Sequence, residues 1–237
     1  MIIAGHQSHY LPGMRFFAKI MSCDKFILVD HVQFVKKEWQ NRNKIKTKDG
    51  SMWLTVPVLV KGKHDQNINE VGIDNKPNWQ RTHWRSIEIN YSKTPYFDSY
   101  RNFFESIYKR KWNKLVDLNW GIISFLLNEL KISKEIVLSS SLNLASKSTD
   151  LLLELCKKLN ADTYLSGEQA KTYVDLSKFK SNNLKHIFMK FNYPTYPQQF
   201  GDFIPNLSII DALFNCGARE TRRMVESNIE FEKYWVE

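Results

Sequence analysis

Apolar residues along this chain come first in short blocks separated by polar ones. Met1-Ile2-Ile3-Ala4 predicts a buried strand over 2–5, and Phe26-Ile27-Leu28-Val29 a second over 25–30. Between them, 14–22 has the length and mixed pattern of a short helix. Met52 to Val58 predicts a third strand, with Pro57 at its end or on a sheet edge. A polar loop follows over Lys61–Gln66, then a strand around Asn69–Ile73 and a turn over Asp74–Pro77. The periodicity then becomes helical. Trp84, Ile87 and Tyr91 share one face of a helix over 79–91. A second helix is expected over 97–109. The clearest apolar stripe is Leu115, Leu118, Ile122, Phe125, Leu126 and Leu130. The last third alternates again: strand 135–138, helix 148–159 capped by Ser148 or Thr149, strand 162–165, strand 186–192, and a helix ending at Cys216 with Gly217 as its C-cap.

Strands alternating with helices predict an α/β, Rossmann-like fold of the HUP type. Its mostly parallel sheet would be flanked by helices. At 237 residues one domain suffices, with 77–131 as a candidate helical insertion or cap. With 43% hydrophobic residues, 15 Phe and 7 Trp, the chain can build a sizeable core. No apolar run reaches the ~18 residues of a membrane span, and the N-terminus lacks a signal-peptide pattern. Cys23, Cys156 and Cys216 are scattered and odd in number, which fits reduced thiols in a cytoplasmic protein.

The net charge is +9, favouring anionic partners. Six basic residues fall within 36–48, interleaved with amides and Trp39.

The candidate chemistry sits at predicted strand ends. His6 and His9 follow the first strand and resemble the histidine-x-glycine-histidine motif of nucleotidyltransferases, where imidazoles bind phosphates; Ser8 replaces the glycine. The His-x-x-His spacing has no third ligand, so no metal site is assigned. Asp30 ends the second strand, where a carboxylate orients a histidine, binds a hydroxyl or acts as a base. Around it stand Gln33, Trp39, Gln40, Asn41, Arg42, Asn43 and Lys44. Trp39 offers a stacking face and Arg42 a bidentate fork for phosphate or carboxylate. Ser166-Gly167-Glu168 forms a turn whose N–H groups face an anion if a helix follows. Asn206 precedes the last helix.

Two blocks are more specific. His6-Gln7 with Tyr10-Leu11-Pro12, and Trp39-Gln40-Asn41-Arg42-Asn43-Lys44, resemble the WbqC-like family, as does most of the remaining chain, including Ala161–Gly167 and Asn206–Asp211. The family's usual proline–asparagine is Ser8-His9 here, and its tryptophan is Gly13. The resemblance implies bacterial surface-polysaccharide (O-antigen) biosynthesis, with a nucleotide-linked amino sugar as ligand. The leading expectation is a transferase that N-acylates or aminoacylates a nucleotide-linked deoxyamino sugar. In it His6, oriented by Asp30, is the base, with His9 beside it. Gln7, Tyr10, Gln33 and the 39–44 block bind substrate, together with Ser166, Gly167, Glu168 and Asn206. The donor is open among acyl-CoA, acyl-carrier protein, aminoacyl-tRNA and an ATP/Mg-activated acid. The alternatives are a nucleotidyltransferase-like enzyme using His6 and His9, and an RNA- or tRNA-binding module.

Overall fold

A computed structural model describes residues 1–63 and 65–234, and for Tyr234 the backbone only. Position 64, in the predicted 61–66 loop, lies outside the described residues.

Six strands form one sheet: β1 (Ile2–Gln7), β2 (Lys25–Val29), β5 (Glu135–Leu138), β6 (Thr163–Gly167), β7 (Lys185–Phe191) and β8 (Ile229–Tyr234). A separate antiparallel hairpin pairs β3 (Arg42–Thr47) with β4 (Gly50–Thr55). The helices are α1 (Met14–Met21), α2 (Trp79–Tyr91), α3 (Phe97–Lys109), α4 (Leu115–Glu129), α5 (Ser148–Lys158), α6 (Leu176–Ser181) and α7 (Ile209–Ser227). The sheet order is β5-β2-β1-β6-β7-β8, parallel throughout except for β7–β8. This is a Rossmann-like fold. The chain builds outward from β1 on one side, then from β6 on the other, so the strand order reverses between them.

That reversal opens a crevice. β1 and β6 pair only from Ile2↔Thr163 to Ala4↔Leu165. Beyond that, β1 stays with β2 as far as Gln7↔Val29, and β6 stays with β7 as far as Gly167↔Met189. The strands splay at their carboxyl ends, where open α/β sheets bind ligands.

The β2-to-β5 crossover carries the hairpin and the three helices of the 77–131 segment. Phe97 and Phe104 of α3 pack on Phe214 of α7, in one buried cluster that also holds Phe17 of α1 and Phe26 of β2. Among the described residues no helix is long and apolar enough to cross a membrane.

Several elements differ from expectation. The strand predicted around Asn69–Ile73 is a 3-10 turn over Ile68–Glu70. Asn67 and Glu70 close it as a capping box, Glu70 accepting the Asn67 N–H at 2.7 Å. β3 lies in a segment that reads as loop, because only Ile45 gives it an apolar inward position. Asn43 and Lys46 are buried instead through hydrogen bonds to Leu11 O and Gln198 Oε1. β8 and α6 have weak patterns and were not expected. Neither Ser148 nor Thr149 caps α5; its N-cap is Lys147, without a side-chain cap. Gly217, at φ 75°, ψ 167°, ends the first helical segment of α7 as expected; the second segment, which continues to Ser227 beyond this kink, was not expected. A Cβ there would lie 2.8 Å from Tyr96 Cε1, so the kink and the close approach both require glycine. In the first turn of α7, Tyr91, Tyr196 and Gln198 all donate to the buried Asp211 carboxylate.

Candidate functional site

The crevice at the splayed ends of β1 and β6 holds a cleft of about 600 Å³, partly open to solvent. His6 and His9 both line it, their rings edge to face with centroids 4.5 Å apart. Phe16 of α1 backs both rings, at 5.5 and 5.8 Å. His6 Nδ1 lies 3.0 Å from the Gln7 carbonyl. A carbonyl only accepts, so Nδ1 carries the hydrogen and Nε2 keeps its lone pair. Burial first, then the Lys19 ammonium and His9, hold His6 well below the ordinary histidine pKa. Burial and Arg15 push His9 down to about 3. Both rings keep an edge open to the cleft. Both imidazoles are neutral at pH 7.

α1 adds two cations whose role the sequence pattern hides. Lys19 is only 8% exposed, yet among the described residues it has no ion-pair or hydrogen-bond partner. Burial, then Arg15, lowers its pKa to about 8, so it is mostly charged at neutral pH. Arg15 lines the same cleft, also without an ion-pair partner among the described residues. Burying a cation unpaired is costly, which marks the place where an anion belongs. Lys19 sits on the buried side of a short amphipathic helix, where a lysine reads as a packed stem. Position four residues after Arg15, behind a strand-end histidine pair, was the available signal.

Gly167, Glu168, Trp39, Asn43 and Asn206 also reach this cleft, as the sequence suggested. Glu168 opens a five-residue 3-10 turn rather than an α-helix. Asn43 Nδ2 donates to Leu11 O at 2.5 Å, and Asn206 Oδ1 accepts from the Tyr193 hydroxyl at 2.7 Å. Gln7 and Ser166 line the adjoining side of the crevice, where Ser166 Oγ is 3.1 Å from His186 Nε2.

Other expected site residues lie elsewhere. Asp30 is not brought to His6. Its carboxylate accepts from the Ser139 hydroxyl at 2.9 Å and from the Ser140 N–H and hydroxyl, each at 2.8 Å, so it fastens the end of β2 to the turn after β5. Tyr10 is fully buried, its hydroxyl 2.9 Å from His83 Nδ1 and 2.5 Å from the Tyr108 hydroxyl. Gln40 is buried between the Val35 N–H and Gln7. Asn41 Nδ2 donates to Val56 O at 2.8 Å. Arg42 and Lys44 stand over the Trp53 ring, at 4.2 and 4.9 Å, and Arg42 donates to Lys37 O. Gln33 is on an exposed strand bridge with Asn67. The amide-rich block therefore shapes the wall of the cleft from behind, through Trp39 and Asn43, and contributes fewer ligand-facing groups than its composition suggests. Among the described residues no group of three His, Cys, Asp or Glu side chains assembles that could hold a metal ion.

The WbqC-like protein family model matches residues 7–223. The chain belongs to that family. It is also similar to the uncharacterised protein Rv1507c of Mycobacterium tuberculosis (strain ATCC 25618 / H37Rv), 37% identical over 214 residues, which span 90% of this chain and 92% of that protein. No solved structure matches the chain. The WbqC-like match spans every cleft residue named above except His6, which immediately precedes it.

Proposed function

We propose that this WbqC-like protein is a transferase that N-acylates or aminoacylates a nucleotide-linked deoxyamino sugar. The observation that carries the reading is the unpaired Lys19 ammonium beside Arg15 and a neutral histidine pair at the crevice. A sugar diphosphate supplies the missing anion. Trp39 offers a stacking face and the exposed Asn206 an amide that a hydroxylated ring uses. In the transfer, the sugar amine attacks the acyl carbonyl carbon and a C–N bond forms. The bond from that carbon to its sulfur or oxygen leaving group breaks. The amine proton passes to His6 Nε2 and then to the leaving group. A bound diphosphate would also offset the Lys19 and Arg15 charges that depress His6, so substrate binding would strengthen the base.

The test is incubation with nucleotide-linked 3- and 4-amino sugars and, in turn, acyl-CoA, acyl-carrier protein, aminoacyl-tRNA and acid plus ATP. The expected result is a mass gain of one acyl group on one pairing. No gain with any pairing, together with no binding of any nucleotide sugar, removes the reading.

A second reading is favoured by one observation: His6, His9 and Gly167 line a single cleft. A nucleotidyltransferase would use the imidazoles on a nucleoside triphosphate. Release of pyrophosphate from a triphosphate in the presence of a sugar phosphate would select it.

A further inference from the structure

The crevice has a second lobe. It encloses about 990 Å³ of space, part of it open to solvent, and adjoins the basic cleft. Lys19, His6 and Gly167 line both lobes, so a molecule lying across them is continuous past the Lys19 ammonium. The walls differ in kind. Val29 comes from the end of β2 and Val32 from the segment after it, and Leu151 and Leu152 from the N-terminal half of α5. Tyr173 stands at the lobe with 60% of its surface exposed, a large aromatic left open to water. The remaining polar lining is uncharged and includes Gln7, Gln169, Ser148 and Ser166. Among the described residues Lys19 alone brings charge to the lobe.

We propose that this second lobe is a nucleobase subsite. The ring system lies between the leucines of α5 and Tyr173, its diphosphate crosses Lys19 toward Arg15, and the attached sugar reaches the polar cleft. The assignment rests on reading the basic cleft as a phosphate site. A charged group in the lobe would meet no counter-charge except Lys19. A plain aliphatic chain would give no partner to the half-buried Gln7 Nε2, which has none among the described residues. A heterocycle matches both demands, with apolar faces for the leucines and Tyr173 and polar edges for the amides and hydroxyl. The order of the lobes also fits a single ligand, with base, diphosphate and sugar running from apolar wall through buried cation to amide-rich cleft.

The experiment is calorimetry on the full chain with inorganic pyrophosphate and with the diphosphates of uridine, thymidine, adenosine and guanosine. At least one nucleoside diphosphate is expected to bind about 10- to 100-fold more tightly than pyrophosphate. Leu152→Trp, which fills the lobe, should remove that advantage and leave pyrophosphate affinity within about threefold. If that variant does not fold, Leu152→Ala carries the same test, with the nucleoside advantage shrinking by about fivefold. Pyrophosphate binding that is tight and lost in Lys19→Met, with no nucleoside preferred, overturns the nucleobase assignment alone. Pyrophosphate binding that is absent, or indifferent to Lys19→Met, overturns the phosphate reading beneath it. Tighter binding of an acyl-pantetheine, abolished by Leu152→Trp, would give the lobe to the acyl donor and overturn the proposal.

Discussion

Gln40 Nε2 donates to Gln7 Oε1 at 2.7 Å, while Gln40 Oε1 accepts the Val35 N–H at 3.0 Å. One buried amide thus ties the polar 33–44 segment to the end of β1, where the crevice opens. Gln40→Ala strips both partners at once. It should cost about 1–3 kcal/mol, read as a lower urea midpoint with an unchanged m-value. Pyrophosphate affinity of the folded variant should stay within about threefold of wild type. An unaltered midpoint would mean that the amide is not what holds this segment.

Lys19→Met keeps the length of the side chain and removes its charge. Burial lowers the Lys19 pKa to about 8 from 10.5, a penalty on the order of 3 kcal/mol for carrying the charge folded at neutral pH. The variant should therefore melt no earlier than wild type, and later if the methionine packs well. Anion affinity should fall about 30- to 1000-fold. The free ammonium discharges above pH 8, so wild-type pyrophosphate affinity should decline there by up to about tenfold per pH unit. An early-melting variant that still binds pyrophosphate would show Lys19 to be a packing residue.

The fold was readable in the sequence where one period dominated. β1 and β2 begin or run as continuous apolar blocks, Ile2–Ala4 and Phe26–Val29, and the stripe from Leu115 to Leu130 is α4 almost to the residue. The strand-end histidines could be placed at the crevice for the same reason. β3 could not, because hydrogen bonds rather than apolar burial hold its buried Asn43 and Lys46. The site was half readable. Trp39, Asn43, Gly167, Glu168 and Asn206 reach the cleft as their turn chemistry suggested. Asp30 and Tyr10 look equally functional by type, and only the tertiary positions of Ser139, Ser140, His83 and Tyr108 show that they are already partnered. Arg15 and Lys19 were hidden because a lysine's purpose depends on whether folding gives it a carboxylate.

Acid should unfold the protein through buried neutral histidines. His83 and His186 are 5% and 1% exposed, and burial holds each at about 4; His9 stands at about 3. The unfolded chain takes up a proton on each near pH 6.5. Stability from these groups is complete above 6.5 and lost as pH falls toward 4, since between those values the unfolded state binds more protons. Unfolding at pH 5 should take up nearly three protons from these three histidines. Urea titrations at pH 7, 6 and 5 measure that slope, and His186→Phe should remove about one proton from it. Stability that is flat from pH 7 to 5 would contradict the burial of these rings.

Arg42 carries the last prediction, since its residue type and its position point in opposite directions. Flanked by Asn41 and Asn43, an arginine reads as a phosphate ligand. In the structure its guanidinium lies 4.2 Å from the Trp53 ring centroid and donates to the Lys37 carbonyl, and it does not line the cleft. Its neighbour Lys44 shares the same ring at 4.9 Å, and Trp53 in turn meets Trp39, which does line the cleft, at 5.3 Å. Arg42 therefore acts on the ligand only through two tryptophans. Arg42→Ala should cost about 1 kcal/mol of stability, from the lost cation–π contact and hydrogen bond at a partly exposed site. Pyrophosphate affinity should change less than threefold, against the 30-fold or greater loss expected of a direct phosphate fork. Any loss in sugar-nucleotide affinity should be matched by Trp53→Ala, because both changes loosen Trp39. A large loss of pyrophosphate binding in Arg42→Ala with unchanged melting would return the anion site to the hairpin and take it away from Lys19.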